Sequence, residues 1–86
     1  MYIVYVIYSA RFDKIYVGFT NNLENRFKSH NELGKKGWTI KFRPWVILHT
    51  ENFESKANAM EREKQLKSAK GRIFIRELIR SKFSAS

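Results

Sequence analysis

Two pairs of residues place side chains that can do chemistry close together. Arg26 and His30 are four residues apart, so they share one face of a predicted helix, beside the apolar stripe that would dock on a sheet. Tyr5 and Tyr16 lie on neighbouring predicted strands at core positions, where each hydroxyl needs a hydrogen-bond partner. Taken singly, each of these residues is more typical of a structural or surface role. Their grouping makes a functional role a competing interpretation.

A carboxylate stands on the apolar side of a second predicted helix. Ala59, Met60 and Leu66 define that side at the helical period, and Glu63 falls among them. A carboxylate at the centre of an inward face is unfavourable unless it is paired or binds a cation. Two interpretations are therefore equally open: a buried salt bridge, with Arg26 as a possible partner, or a metal ligand.

These side chains are the types that phosphodiester cleavage needs. The reaction requires a cation at the non-bridging oxygens, a carboxylate to hold a metal, and a base for the attacking water. Arg26 can supply a fixed charge whose fork matches a phosphate. His30 or a tyrosine could move protons. The pKa of a tyrosine is ordinarily ~10, so a nearby cation must lower this pKa before the tyrosine can act as a base.

The charge of the chain favours a polyanionic partner. Seventeen Lys and Arg against eight Asp and Glu leave a net charge of +9. A basic surface without such a partner is the alternative. The aromatic residues Trp38 and Phe42 interleave with lysines in a loop that could follow a nucleic-acid backbone, unless these aromatics return to the core. The candidate nucleic-acid-binding residues are Lys35, Lys36, Lys41, Arg43, Lys67 and Lys70.

The elements that position these side chains form one α+β domain over residues 1–86, in the order β-β-α-β-α-α. The predicted strands are 2–9, 14–19 and 45–50. The predicted helices are 23–32, 55–69 and 72–82, with Gly71 breaking the chain before the last one. Tyr16 and Gly18 share one face of the second strand. The apolar run at residues 2–8 is too short to span a membrane, so we expect no membrane partner and a cytoplasmic location.

The combined spacing resembles the GIY-YIG nuclease family, especially its short bacterial members, which are similar to the amino-terminal nuclease domain of a bacterial excinuclease. The resemblance runs from the first strand through Lys67. The segments that carry it are Tyr5, Tyr16-Val17-Gly18, Asn22-Leu23 with Arg26 and His30, and Ala59 to Lys67. It implies a small three-stranded antiparallel sheet flanked by helices.

The resemblance also implies a role for each candidate. Tyr16 would assist deprotonation of the water, and Tyr5 would be its hydrogen-bonding support. Arg26 would bind the scissile phosphate, and His30 would orient the nucleophile or shuttle a proton. Glu63 would hold one Mg²⁺ or Mn²⁺. The implied activity is a metal-dependent DNA endonuclease, with DNA favoured over RNA.

Two departures from the family pattern bear on activity, and the second of them motivates a rival hypothesis. The first motif is Ile3-Val4-Tyr5 and lacks its glycine, and Phe19 stands where several members carry a lysine. The rival is a nucleic-acid-binding module that keeps the fold without turnover. A third hypothesis is a domain whose basic face binds an acidic protein. For a nuclease this small, a protein partner or homodimer is expected to select the target.

Overall fold

The computed structural model describes residues 1–35 and 37–83. Its strands are β1 (Tyr2–Ser9), β2 (Lys14–Thr20) and β3 (Val46–Phe53). Its α-helices are α1 (Leu23–Lys28), α2 (Lys56–Leu66) and α3 (Ala69–Phe83). A π-helical turn, Ser29–Leu33, continues α1, and a 3-10 turn, Trp38–Phe42, precedes β3. The predicted α+β class and the element order β-β-α-β-α-α are confirmed.

The three strands form one antiparallel sheet in the order β2-β1-β3. The central strand β1 is buried from Val4 to Ser9 because helices and turns cover both of its sides. Its register with β2 places Tyr5 opposite Gly18 and Ile7 opposite Tyr16. In this sheet β2 has a neighbour on one side only, so it is an edge strand.

The two faces of the sheet carry different residues. The core face, covered by α2 and α3, joins the buried side chains Val4, Val6, Tyr8, Val17, Leu48, Ala59, Leu66, Ile75 and Ile79. The site face, covered by α1 and the turns, joins buried Tyr5, Ile7 and Trp45 with partly buried Tyr16, Leu23, Phe27 and Phe42. The predicted division of β2, with Tyr16 on one face and Val17 on the other, is correct.

The link between the last two helices differs from the prediction. Gly71 does not break the chain but lies buried inside the first turn of α3. A side chain there would collide with the backbone carbonyls of Gln65 and Leu66, so the glycine allows α3 to approach the end of α2. The helices separate at Ser68 instead, whose hydroxyl accepts a hydrogen bond from the amide of Gly71.

The apolar side of α2 is also narrower than predicted. Met60 is 49% exposed, so it does not belong to the inward face, whereas Ala59 and Leu66 are fully buried. Ser55 caps the helix as predicted, accepting a hydrogen bond from the amide of Asn58. Glu63 consequently lies at the margin of the buried face rather than at its centre.

Candidate active site

The position of Tyr5 depends on the glycine opposite it. Tyr5 is 1% exposed, and its ring lies across the backbone of Gly18 on the edge strand. A Cβ at Gly18 would stand 2.6 Å from the Tyr5 hydroxyl oxygen and 2.8 Å from Cζ. Only glycine leaves room for this approach, which carries the hydroxyl from the central strand over β2.

The Tyr5 hydroxyl forms a hydrogen bond with the imidazole of His30. Its Nε2 lies 2.8 Å from the Tyr5 hydroxyl and its Nδ1 lies 3.0 Å from Oγ1 of Thr39. The imidazole is 4% exposed, and its centroid is 4.7 Å from that of the Tyr16 ring. Burial, with smaller contributions from the charges of Arg26 and Arg43, lowers the pKa of His30 to about 4. The ring is therefore neutral at pH 7.

The directions of these hydrogen bonds follow from the partners. Burial raises the pKa of Tyr5 to about 12, so its hydroxyl keeps its proton. Arg26, which interacts with the Tyr5 hydroxyl, can only donate. We therefore assign the Tyr5 proton to the bond with His30 Nε2, and the imidazole proton to Nδ1, from which it is donated to Thr39.

The π-helical turn explains why His30 points inward. Helix α1 ends at Lys28, four residues before the predicted Glu32. Arg43 then donates to three backbone carbonyls of the turn, those of His30 at 2.7 Å, Ser29 at 3.1 Å and Gly34 at 2.7 Å. These contacts stabilise the wider turn and give Arg43 a structural role. Wide turns of this kind occur often at functional sites.

Arg26 places a fixed charge beside the two tyrosines. Its helix is capped by Asn22, whose side chain accepts a hydrogen bond from the amide of Asn25 at 3.1 Å. The pKa of Arg26 is raised, chiefly by its interaction with the Tyr5 hydroxyl and further by that with Tyr16. The side chain remains exposed to solvent, so its charge can reach a ligand.

A small pocket opens at this point. Its volume is about 150 Å³. It is lined by Tyr16, Arg26, Ser29, His30, Gly37, Trp38 and Thr39. Three of the five predicted catalytic residues thus line one cavity, and Tyr5 contacts His30 behind it. Thr39 was not predicted, because a threonine in a basic loop gives no sequence signal until the loop folds against the imidazole.

Glu63 approaches from α2 and does not line the pocket. Its side chain is 23% exposed and its Oε2 lies 3.6 Å from Nζ of Lys67, one helical turn away. The proposed partner Arg26 is therefore not the one found; the ion pair is with Lys67. The Glu63 charge still contributes to raising the pKa of Tyr5, after burial and Tyr16. Glu63 is thus close enough for its charge to act on the Tyr5 hydroxyl.

The donor set fits one mode of metal binding. Within residues 1–35 and 37–83, no three His, Cys, Asp or Glu side chains cluster in a way that could enclose a metal ion. Mg²⁺ is commonly held by one or two carboxylates, with waters and substrate phosphates completing its shell. A loosely paired carboxylate such as that of Glu63 fits this mode, whereas it does not fit a cage built entirely by the protein.

The predicted nucleic-acid-binding residues come from several segments of the chain. Lys35, Lys41, Lys67 and Lys70 are exposed, and Lys36 lies outside the described residues. Their contact with nucleic acid stays a prediction, as does that of Arg43, whose guanidinium the turn already engages.

Comparison with known protein families shows which family the chain belongs to. The model of the GIY-YIG catalytic domain matches residues 1–76, which include every candidate described above. The chain belongs to the GIY-YIG family. The predicted resemblance is thereby confirmed, and a nuclease superfamily is the class to which this domain points. GIY-YIG nucleases typically use a divalent metal ion.

Relatives of this GIY-YIG protein carry the name UPF0213. One from Bacillus velezensis is 41% identical over 73 residues, covering 81% of this chain and 74% of its own. The protein YazA of Bacillus subtilis is 36% identical over 70 residues, covering 78% and 71%. The solution structure of the UPF0213 protein BH0048 from Bacillus halodurans superposes with a TM-score of 0.53 at 25% identity, covering 91% of this chain and 85% of that one.

The described part of this GIY-YIG chain contains no candidate for a membrane-spanning helix. None of its helices there combines the length and the apolar character that crossing a bilayer requires.

Proposed function

We propose that this protein is a divalent-metal-dependent endonuclease that hydrolyses DNA phosphodiester bonds. The observation that carries the proposal is the grouping of Tyr16, Arg26 and His30 around one pocket, with Tyr5 hydrogen-bonded behind it. Membership of a nuclease superfamily supports the same conclusion.

Arg26 would bind the scissile phosphate. Its guanidinium is exposed and stays charged beside two hydroxyls, and a guanidinium pairs well with phosphate oxygens. Charge that develops on the phosphate during attack would be stabilised where the charge of Arg26 is already fixed.

Tyr16 would act on the attacking water, since its side chain lines the pocket and interacts with Arg26. Tyr5 is unsuited to be the base because its pKa is about 12. With a pKa of about 4 and nearly complete burial, His30 would instead position both tyrosines, through its hydrogen bond to Tyr5 and its ring contact with Tyr16.

Glu63 would hold the metal ion. A divalent cation bound there supplies charge neutralisation at the phosphate and lowers the pKa of bound water. The weak pair with Lys67, at 3.6 Å, leaves the carboxylate able to exchange its partner. Lys67 would then be free to contact a substrate phosphate.

The experiment is a cleavage assay on labelled single-stranded, duplex and branched DNA, and on matched RNA, with Mg²⁺ or Mn²⁺. Wild type should cut DNA only when metal is present, and Glu63→Gln should slow cutting about 100-fold or more. Glu61→Gln is the matched control, because Glu61 is exposed on the same helix and should keep wild-type activity. Metal-independent binding without any cutting would instead establish the inactive binding module.

A further inference from the structure

A second, larger cavity adjoins the pocket, and we call it the β2-edge groove. Its volume is about 510 Å³. Tyr16 and Trp38 line both cavities, so the groove begins where the active-site pocket ends. It is also lined by Ile15 and Val17, whose side chains lie on the core face of β2. The groove therefore passes around the free edge of this strand, from the site face to the core face.

The groove combines an apolar floor with a cationic wall. The accessible apolar surface comes from half-buried Ile15 and Tyr16 and from exposed Trp38. Val17, Leu66 and Ile75 line the groove from the core side and are themselves buried. The charged lining residues are Lys14, Lys67, Arg72, Arg76 and Asp13. Four cations against one carboxylate leave a charge of +3, even with Arg76 paired to Asp13 at 2.6 Å. An apolar floor suits a base, and a positive wall suits the phosphates on either side of it.

Trp38 stands at the junction of the two cavities. It is 46% exposed, yet its ring is held by Phe42 at 4.7 Å and Trp45 at 5.9 Å between centroids. An exposed indole with a fixed orientation is a stacking surface for a base, since every base offers an aromatic face. Its position beside Tyr16 and Arg26 places that surface next to the proposed cleavage point.

We propose that the β2-edge groove holds the nucleotide next to the scissile phosphate, unstacked from its neighbours and resting on Trp38. This inference rests on the proposed nuclease function and adds a substrate class to it. The cavity lies in the ~300–1,000 Å³ range of small-ligand sites, which suits one nucleotide and not a length of duplex. Substrates with unpaired nucleotides are consequently bound better than uninterrupted duplex.

The lining of the groove favours a nucleotide over a peptide strand added at the free edge of β2. Edge strands can accept an added peptide strand, so an acidic peptide is the competing occupant. The floor beside Trp38 and the continuity with the cationic pocket favour nucleic acid, because both features would go unused by an added strand.

The test measures binding without cleavage. Fluorescence anisotropy in EDTA compares a short labelled oligothymidine with a blunt duplex of equal length. Trp38→Ala should weaken single-strand binding about fivefold to a hundredfold and leave duplex binding unchanged. Trp38→Phe should restore most of the affinity, since it keeps an aromatic face.

A second pair of variants keeps the test decisive if Trp38→Ala fails to fold. Arg72 and Arg80 are both exposed on α3, but only Arg72 lines the groove. Arg72→Gln should lower single-strand affinity and reduce the slope of log affinity against log salt by about 0.7. Arg80→Gln should change neither.

Three results would overturn the inference: folded Trp38→Ala binding the single strand as tightly as wild type, equal effects of Arg72→Gln and Arg80→Gln, or tighter binding of a polyglutamate peptide than of oligothymidine. Because EDTA prevents metal-dependent cutting, the two proposals fail separately. If the protein binds as described but never cleaves, the inference about the groove stands and the proposed nuclease function fails. If it cleaves without this binding pattern, the nuclease function stands and the inference about the groove fails.

Discussion

The two faces of the sheet use the same three strands for different purposes. On the core face, aliphatic side chains from β1, β2 and β3 pack against α2 and α3. On the site face, the equivalent buried positions hold Tyr5 and its partner His30, whose polar groups lie within 2.8 Å of each other. One face stabilises the fold by apolar burial, and the other buries polar groups that must satisfy one another.

This difference separates stability from chemistry. Burying a hydroxyl and an imidazole is unfavourable unless both are hydrogen-bonded. The chain from Tyr5 through His30 to Thr39 meets that condition with two bonds, at 2.8 and 3.0 Å. The site face is therefore rigid at its buried end and open at Arg26, where a ligand can bind. Variants at its open end should change reaction rates with little effect on unfolding.

The largest expected effect is at that open end. Arg26→Gln removes the charge next to Tyr16 and should lower the rate of DNA cleavage about 100- to 1,000-fold. Because Arg26 is exposed, the thermal unfolding midpoint of the variant should stay close to that of wild type. Lys28→Gln, on the same helix and 51% exposed, is the matched control. Equal rates for the two variants would show that Arg26 contributes no more than general charge.

A smaller effect on cleavage is expected for a substitution at Gly18 on the edge strand β2. Gly18→Ala places a methyl group 2.6 Å from the Tyr5 hydroxyl oxygen, so the ring must move and the bond to His30 must lengthen. Overpacking of this kind should reduce the free energy of unfolding by up to about 3 kcal/mol, and cleavage should slow as well. Urea unfolding and cleavage rates measure the two effects. Wild-type values for both would mean that the strand edge is not closely packed.

The buried imidazole predicts a dependence of stability on pH. The pKa of His30 is about 4 in the folded protein, below its ordinary value near 6.5, so the unfolded chain binds the proton more readily. Stability is thus complete above pH ~6.5 and falls as the pH decreases towards 4. Between pH 7 and 5 the loss should be about 2 kcal/mol.

Urea unfolding of wild type and His30→Gln at both pH values checks this. The variant cannot titrate at residue 30, so its loss over the same interval should be smaller. The window from pH 7 to 5 avoids most of the titration of Asp13 and Glu51, whose pKa values are lowered by Arg76 and Arg62 respectively. Equal losses in the two proteins would contradict the assignment of a neutral, buried His30.

Much of the architecture could be predicted from periodicity alone. Strand alternation assigned Tyr16 and Val17 to opposite faces, and the spacing of Arg26 and His30 placed both on one helical side. Periodicity failed where a tertiary contact decides the local structure. The π-helical turn depends on Arg43 from a distant segment, and Gly71 serves helix packing rather than a chain break.

The site shows the same limit. Thr39 has no distinguishing spacing, because its role arises only when a loop folds against His30. Met60 fits the apolar period of α2 but is 49% exposed, since the sheet covers only part of that helix. The pairing of Glu63 with Lys67 is different, because these residues are four apart along one helix and their pairing could have been predicted from that spacing.

The most direct test of the account is single-turnover cleavage of labelled DNA by Tyr16→Phe in the presence of Mg²⁺. Tyr16 lines both cavities, and the substitution removes one oxygen while keeping the ring that packs on His30. We expect unfolding at the wild-type temperature and cleavage at least about 100-fold slower. Cleavage at the wild-type rate by the folded variant would contradict the claim that the site face of the sheet is the catalytic one.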